Sequence, residues 1–148
     1  MSLIDNLNED MKQAMKSGEK TKLKVVRSIK SALDNEKIKL GKEIGEDDEL
    51  NVLNREMKQR KESLEEFTKA NRDDLINDIS SEIEVLKNYL PEQLDAEEVK
   101  KIITETIANI GATTSKDMGK VMGELTPKIK GRADGKVVSD LVKEILGN

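Results

Sequence analysis

The stretch "KIKGRADGK", residues 128–136, sets four basic residues and two glycines into nine positions of a chain whose formal net charge is -4. Ammonium and guanidinium groups gathered in one short loop are suited to binding phosphate. Just upstream, "MGKVMG" at 118–123 puts Gly119 and Gly123 four residues apart, on one face of a helix, beside Lys116 and Lys120. Each glycine costs about 1 kcal/mol relative to alanine in a helix interior. Something must approach that backbone closely to compensate. A second helix would serve, and so would the phosphate backbone of a nucleic acid.

Gly131 permits a turn with positive φ, and Asp134 caps a final helix whose first residue is Gly135. A capping carboxylate occupies helix N–H donors and repels an anion, so the glycines are not a phosphate nest. Phosphate binding therefore falls to the side chains of Lys128, Lys130, Arg132 and Lys136; otherwise the loop is a capped turn with solvated lysines. Lys20, Lys24 and Arg27 form a second basic stripe, opposite Val26, Ile29 and Leu33, and read as a solvated face. With one Tyr, one Phe and no Trp, no aromatics interleave with either patch, so base stacking is excluded. Recognition of a folded RNA's shape, through phosphates and 2′-OH groups, remains.

Catalysis finds little support. Cys and His are both absent, which removes thiol and imidazole nucleophile systems, zinc sites of those ligands and disulfides. The acidic clusters Asp47-Asp48-Glu49 and Asp73-Asp74 lack EF-hand spacing. Their charges are accounted for by the N-terminal end of a helix dipole. No P-loop sequence is present. No catalytic residue, metal or cofactor is expected.

The elements that must position these residues are helices. Hydrophobic residues make up 35% and charged residues 38% of the 148, yet the apolar ones recur at helical spacing. An all-α fold is expected, in two helical subdomains: an elongated N-terminal helical hairpin or bundle over 1–90, and a compact C-terminal three-helix bundle over 91–148. In the first, Ser2 caps a helix ending at Gly18, a second runs 21–40 and stops at Gly41, and a third runs 48–70. Leu50, Leu53, Met57, Leu64 and Phe67 form a heptad-like seam on that third helix, interrupted by Arg60. A fourth helix ends at Leu90. Pro91 marks the boundary. Asp95 and Glu98 start a helix that Gly111 stops, and Ser115 caps a short helix to about Leu125, which Pro127 prevents from continuing. The charge is blocked: 12–42 hold ten basic against three acidic residues, and 43–98 hold seven against eighteen. With no apolar run of membrane-spanning length and no secretory h-region, a cytoplasmic location without membrane contact is expected.

In order and spacing, "NYLPEQLDAEE" (88–98), "GA" (111–112), "DMGKVMG" (117–123) and "KGRADGK" (130–136) resemble the YqeY family. "KQRKES" (58–63) and "RDDL" (72–75) extend the resemblance over almost the whole chain. Its C-terminal half is similar to the tail domain of the B subunit of the glutamine-dependent Asp-tRNA/Glu-tRNA amidotransferase, and to an N-terminal domain of some glutaminyl-tRNA synthetases. The resemblance implies a two-part all-helical fold and a tail that contacts the outer corner of a tRNA. It makes Lys116, Gly119, Lys120, Gly123, Lys130, Gly131, Arg132 and Lys136 candidate tRNA contacts, with tRNA as the expected partner and aminoacyl-tRNA or amidotransferase components as further ones. It also brings an enzyme label, carbon–nitrogen ligase with glutamine as amido-N-donor. No segment here matches that subunit's kinase-like cradle or the separate amidase subunit. A third reading, a helical protein–protein adaptor, would use the seam from Leu50 to Phe67. Position 71 is Asn where the family usually has Gly, and Asn tolerates the left-handed conformation.

Overall fold

Local capping chemistry starts and stops most of the helices. The computed structural model describes residues 2–147. Ser2 accepts the Asp5 N–H and Asp5 answers on the Ser2 backbone, opening α1 (Leu3–Ser17), which ends at left-handed Gly18. Then come α2 (Lys20–Leu40), closed by left-handed Gly41, α3 (Glu46–Lys69) and α4 (Asp73–Lys87). Asn71, between the last two, has φ 55°, as an asparagine at a helix break can. After Pro91 follow α5 (Ala96–Ile110), a 3-10 turn (Ser115–Asp117), α6 (Met118–Ile129) and α7 (Gly135–Leu146). Among the described residues there is no strand. The fold is all-α.

The chain divides into two compact units, Met1–Leu90 and Pro91–Asn148, each with its own apolar core. In the first, Leu7 of α1, Val25, Val26, Ile29 and Leu33 of α2, Val52, Leu53 and Met57 of α3, and Ile83 and Leu86 of α4 are buried together. Most of the α3 seam is spent here: Leu53 and Met57 are buried and Leu50 and Leu64 pack against the same cluster, while half-buried Phe67 lies outside it. Arg60, which breaks the seam's apolar pattern, is itself 8% exposed. Its guanidinium lies 3.3 Å from Glu56 on its own helix and 3.3 Å from Glu82 on α4. It also donates to Ser28 Oγ on α2 at 3.3 Å. The interruption is a buried charge shared by three helices.

In the second unit Val99 and Ile103 of α5, Val121, Leu125 and Ile129 of α6, and Val138, Val142 and Leu146 of α7 form the core. Asp95 and Glu98 make the capping box of α5, and Gly111 closes it in the left-handed region.

Beyond small shifts of α2, which starts at Lys20, and α3, which spans Glu46–Lys69, three boundaries differ from the sequence expectation. α4 stops at Lys87, and residues 88–90 tighten into successive i to i+3 bonds, Asn88 to Val85, Tyr89 to Leu86 and Leu90 to Lys87. Pro91 biases the residue before it away from the helical region, which ends the helix early. Thr114, not Ser115, makes the cap before α6, accepting the Lys116 N–H. And α6 does not stop at Leu125: it runs through Pro127 to Ile129. Proline removes one bond, to the Gly123 carbonyl, and both residues are on the exposed side of the helix, where water can take the vacated acceptor. The last turn is held by the Lys130 N–H on the Thr126 carbonyl at 3.0 Å.

Candidate nucleic-acid interface

α6 buries Val121, Leu125 and Ile129 against its own unit. At about 100° per residue, the opposite side carries Gly119, Gly123 and Pro127, one turn apart, with Lys120 beside them. All four are exposed, as is Lys116 just before the helix. A Cβ built on Gly119 or Gly123 meets no atom within 4 Å. The glycines therefore do not serve a helix–helix contact within this unit. They leave a strip of bare backbone facing outward.

The rest of the basic set divides. Lys130, the residue that closes α6, is exposed. Lys136, in the first turn of α7, is exposed too, while its backbone N–H is bonded by the capping Asp134 carboxylate at 2.8 Å. Gly131 has φ 76° and is buried. Lys128 points elsewhere: its ammonium donates to Thr106 Oγ1 of α5 at 3.2 Å. Thr106 is 1% exposed and its own hydroxyl donates to the Ile102 carbonyl at 2.8 Å. Arg132 is also engaged, with Nε on the Glu92 carbonyl at 3.2 Å and Nη1 on the Lys128 carbonyl at 3.4 Å.

Sequence reasoning gave no role to Gln93, and the structure gives it one. Its side-chain amide donates to both the Pro91 and the Gly131 carbonyls at 2.8 Å. The Leu94 N–H meets the Arg132 carbonyl at 2.8 Å, and the Arg132 N–H the Ile129 carbonyl at 2.8 Å. "PEQL" and "KGRA" are thus the two halves of one clasp. Both stretches lie in motifs that carry the family resemblance, but nothing in the sequence pairs one with the other.

Two acidic groups stand at the edge of the strip: Glu124, exposed one turn after Lys120 on α6, and Asp117 in the turn before the helix. The Thr113 and Thr114 N–H groups bond the Asp117 carboxylate at 3.0 and 3.3 Å. Those bonds, and then the nearby charge of Lys120, hold Asp117 below the usual carboxylate range. It stays ionised and fixes the turn that leads into α6.

In the N-terminal unit Lys24 reaches Glu82 at 3.3 Å with its side chain 71% exposed, while Lys20 and Arg27 are exposed. That stripe remains mostly a water-facing surface. Among the described residues no group of three or more carboxylates is placed to hold a metal ion, and no helix is long and apolar enough to cross a membrane.

An all-helical chain with a lysine-edged open face on its second unit is what the geometry defines. The family model described as Yqey-like protein matches residues 4–146, and the chain belongs to that family. Similar proteins carry the name "Altered inheritance of mitochondria protein 41, mitochondrial". The one from Pyrenophora tritici-repentis is 30% identical over 149 residues, covering 98% of this chain and 81% of that protein. Its counterpart in Lachancea thermotolerans is 36% identical over 110 residues, covering 69% of this chain and 58% of that protein. A Saccharomyces cerevisiae protein is 28% identical over 128 residues, covering 82% and 69%. These names overturn the expected cytoplasmic location, since the relatives are mitochondrial proteins. The expectation rested on missing export and membrane-spanning segments, and those do not distinguish one aqueous compartment from another.

Proposed function

We propose that this chain binds the body of a folded RNA, tRNA in the first place, with the outward face of α6 and the lysines around it. The observation that carries the reading is the open space around Gly119 and Gly123. Two helical glycines, of which interior Gly123 costs about 1 kcal/mol and first-turn Gly119 less, touch nothing inside the unit and are explained by a partner that comes close to the backbone. Lys116 and Lys120 at the strip's edge, with Lys130 and Lys136 beyond its end, favour a partner carrying phosphates. The poverty in aromatics disfavours single strands, whose bases would need stacking platforms. The resemblance to the tRNA-docking tail of the amidotransferase supports tRNA within the class of folded RNAs. The relatives' names support mitochondria as the compartment.

The test is fluorescence anisotropy with labelled bulk tRNA on the full chain and on the Lys116→Gln/Lys120→Gln variant. The reading expects the variant to bind several-fold more weakly and to lose about two units of the log–log salt slope. Equal binding by the two proteins would refute it. Amide formation on mischarged tRNA, assayed in parallel, would instead favour the carbon–nitrogen ligase reading.

A further inference from the structure

The two forked or long cations at the end of α6, Lys128 and Arg132, differ from the lysines of the open face in what they already touch. Lys128 is turned across to Thr106 on α5. Arg132 lies in a turn where both of its own backbone groups are bonded. Its N–H closes on Ile129 and its carbonyl accepts from Leu94, both at 2.8 Å. The preceding Gly131 carbonyl accepts from the Gln93 amide at 2.8 Å. The guanidinium adds Nε on the Glu92 carbonyl and Nη1 on the Lys128 carbonyl. The second of these lies in the last turn of α6, where carbonyls lack helical donors and the dipole is negative, so a cation is favoured there without any ligand.

We propose, resting on the RNA-binding reading above, that Arg132 and Gln93 are positioning residues. They clamp the 130–134 turn to the 91–94 segment and so fix where Lys130 and Lys136 present their charge, and Arg132 itself takes no phosphate. Gln93 bears no charge, yet it holds the same turn by the Gly131 carbonyl. Its loss therefore reproduces the loss of Arg132. A phosphate ligand would have no such neutral equivalent.

The experiment measures binding of the full chain to bulk tRNA across a salt series, for wild type, Arg132→Gln, Arg132→Lys, Gln93→Ala and Lys120→Gln, together with exchange of the Leu94 amide. Circular dichroism checks that each variant is folded. The proposal expects Arg132→Gln and Gln93→Ala to weaken binding by similar, several-fold factors with an unchanged salt slope and faster Leu94 exchange. Lys120→Gln should lower the slope by about one unit and leave Leu94 protected. Arg132→Lys keeps the charge but loses the planar fork, so it should not restore affinity. A slope lowered by about one unit in Arg132→Gln, with Leu94 still protected, would make Arg132 a phosphate ligand and overturn the proposal. If the wild type binds no tRNA at any salt, the RNA reading falls. Faster Leu94 exchange in Arg132→Gln would still support the clamp, and unchanged exchange would overturn it.

Discussion

Pro127 stands one helical turn after Gly123 on the exposed side of α6, so the Gly123 carbonyl loses the N–H that residue 127 would otherwise donate to it. With Gly119 a turn earlier, three residues that weaken a helix share its water-facing side. Nothing inside the unit compensates for the glycines. That pattern is expected where a surface is kept for binding at some expense of stability.

Gly123→Ala should stabilise the second unit by about 1 kcal/mol, and Gly119→Ala, in the first turn of α6, by less, because the added methyl group meets no neighbour and the helix gains propensity. Pro127→Ala should add about 1–2 kcal/mol, less the entropy the unfolded chain regains. Urea unfolding measures both. The same glycine variants should bind tRNA more weakly. A loss of stability on either substitution would mean that the glycines do pack against something.

Arg60 makes the opposite prediction for the first unit. It is buried between Glu56 and Glu82, whose side chains are 13% and 10% exposed. Removing one partner of such a group leaves uncompensated charge, so Arg60→Ala should cost about 3–5 kcal/mol in urea unfolding. Arg60→Met combined with Glu82→Leu should recover part of that loss. A cost below about 1 kcal/mol would show the network to be dispensable.

Tyr89 donates to the Asp10 carboxylate at 2.5 Å, tying the end of the unit back to α1. Burial first, then that bond and the carboxylate's charge, push the phenol well above its ordinary value of 10. A group whose folded value is raised contributes stability below its unfolded value and loses it as pH rises beyond. Stability should therefore decline above about pH 10, and Tyr89→Phe should reduce that decline while costing about 1–2 kcal/mol at neutral pH. A decline unchanged in Tyr89→Phe would assign it to other groups.

Asp117 titrates with the reverse sign. Its folded value lies below the ordinary 3.8 because two backbone N–H groups bond the carboxylate. Its contribution is present above that value and is lost as pH falls through the depressed one. Thr113 and Thr114 amide exchange should become faster, relative to the intrinsic rate, below pH 3.8. In Asp117→Asn that pH dependence should vanish.

How much of this could be read from the sequence depended on distance along the chain. The caps at Ser2, Asp95 and Asp134 and the left-handed closures at Gly18, Gly41 and Gly111 involve partners within a few residues, and the side-chain chemistry alone placed them. The fates of Lys128 and Arg132 were not legible. Their partners Thr106 and Glu92 lie 22 and 40 positions away, and a lysine free in water has the same spacing as one bound to a threonine. Arg60 looked like a defect in a seam because Glu82 belongs to a different helix. For Gly119 and Gly123 the spacing fits helix packing somewhat better than ligand approach. Only the neighbours in space separate the two.

The most direct measurement is binding of the purified chain to bulk tRNA across a salt series, beside an RNA duplex of equal length. Preference for tRNA, with a slope corresponding to about three or four released counterions from Lys116, Lys120, Lys130 and Lys136, is the predicted result. Equal or negligible binding to both would contradict the assignment and return "KIKGRADGK" to a clamped structural turn.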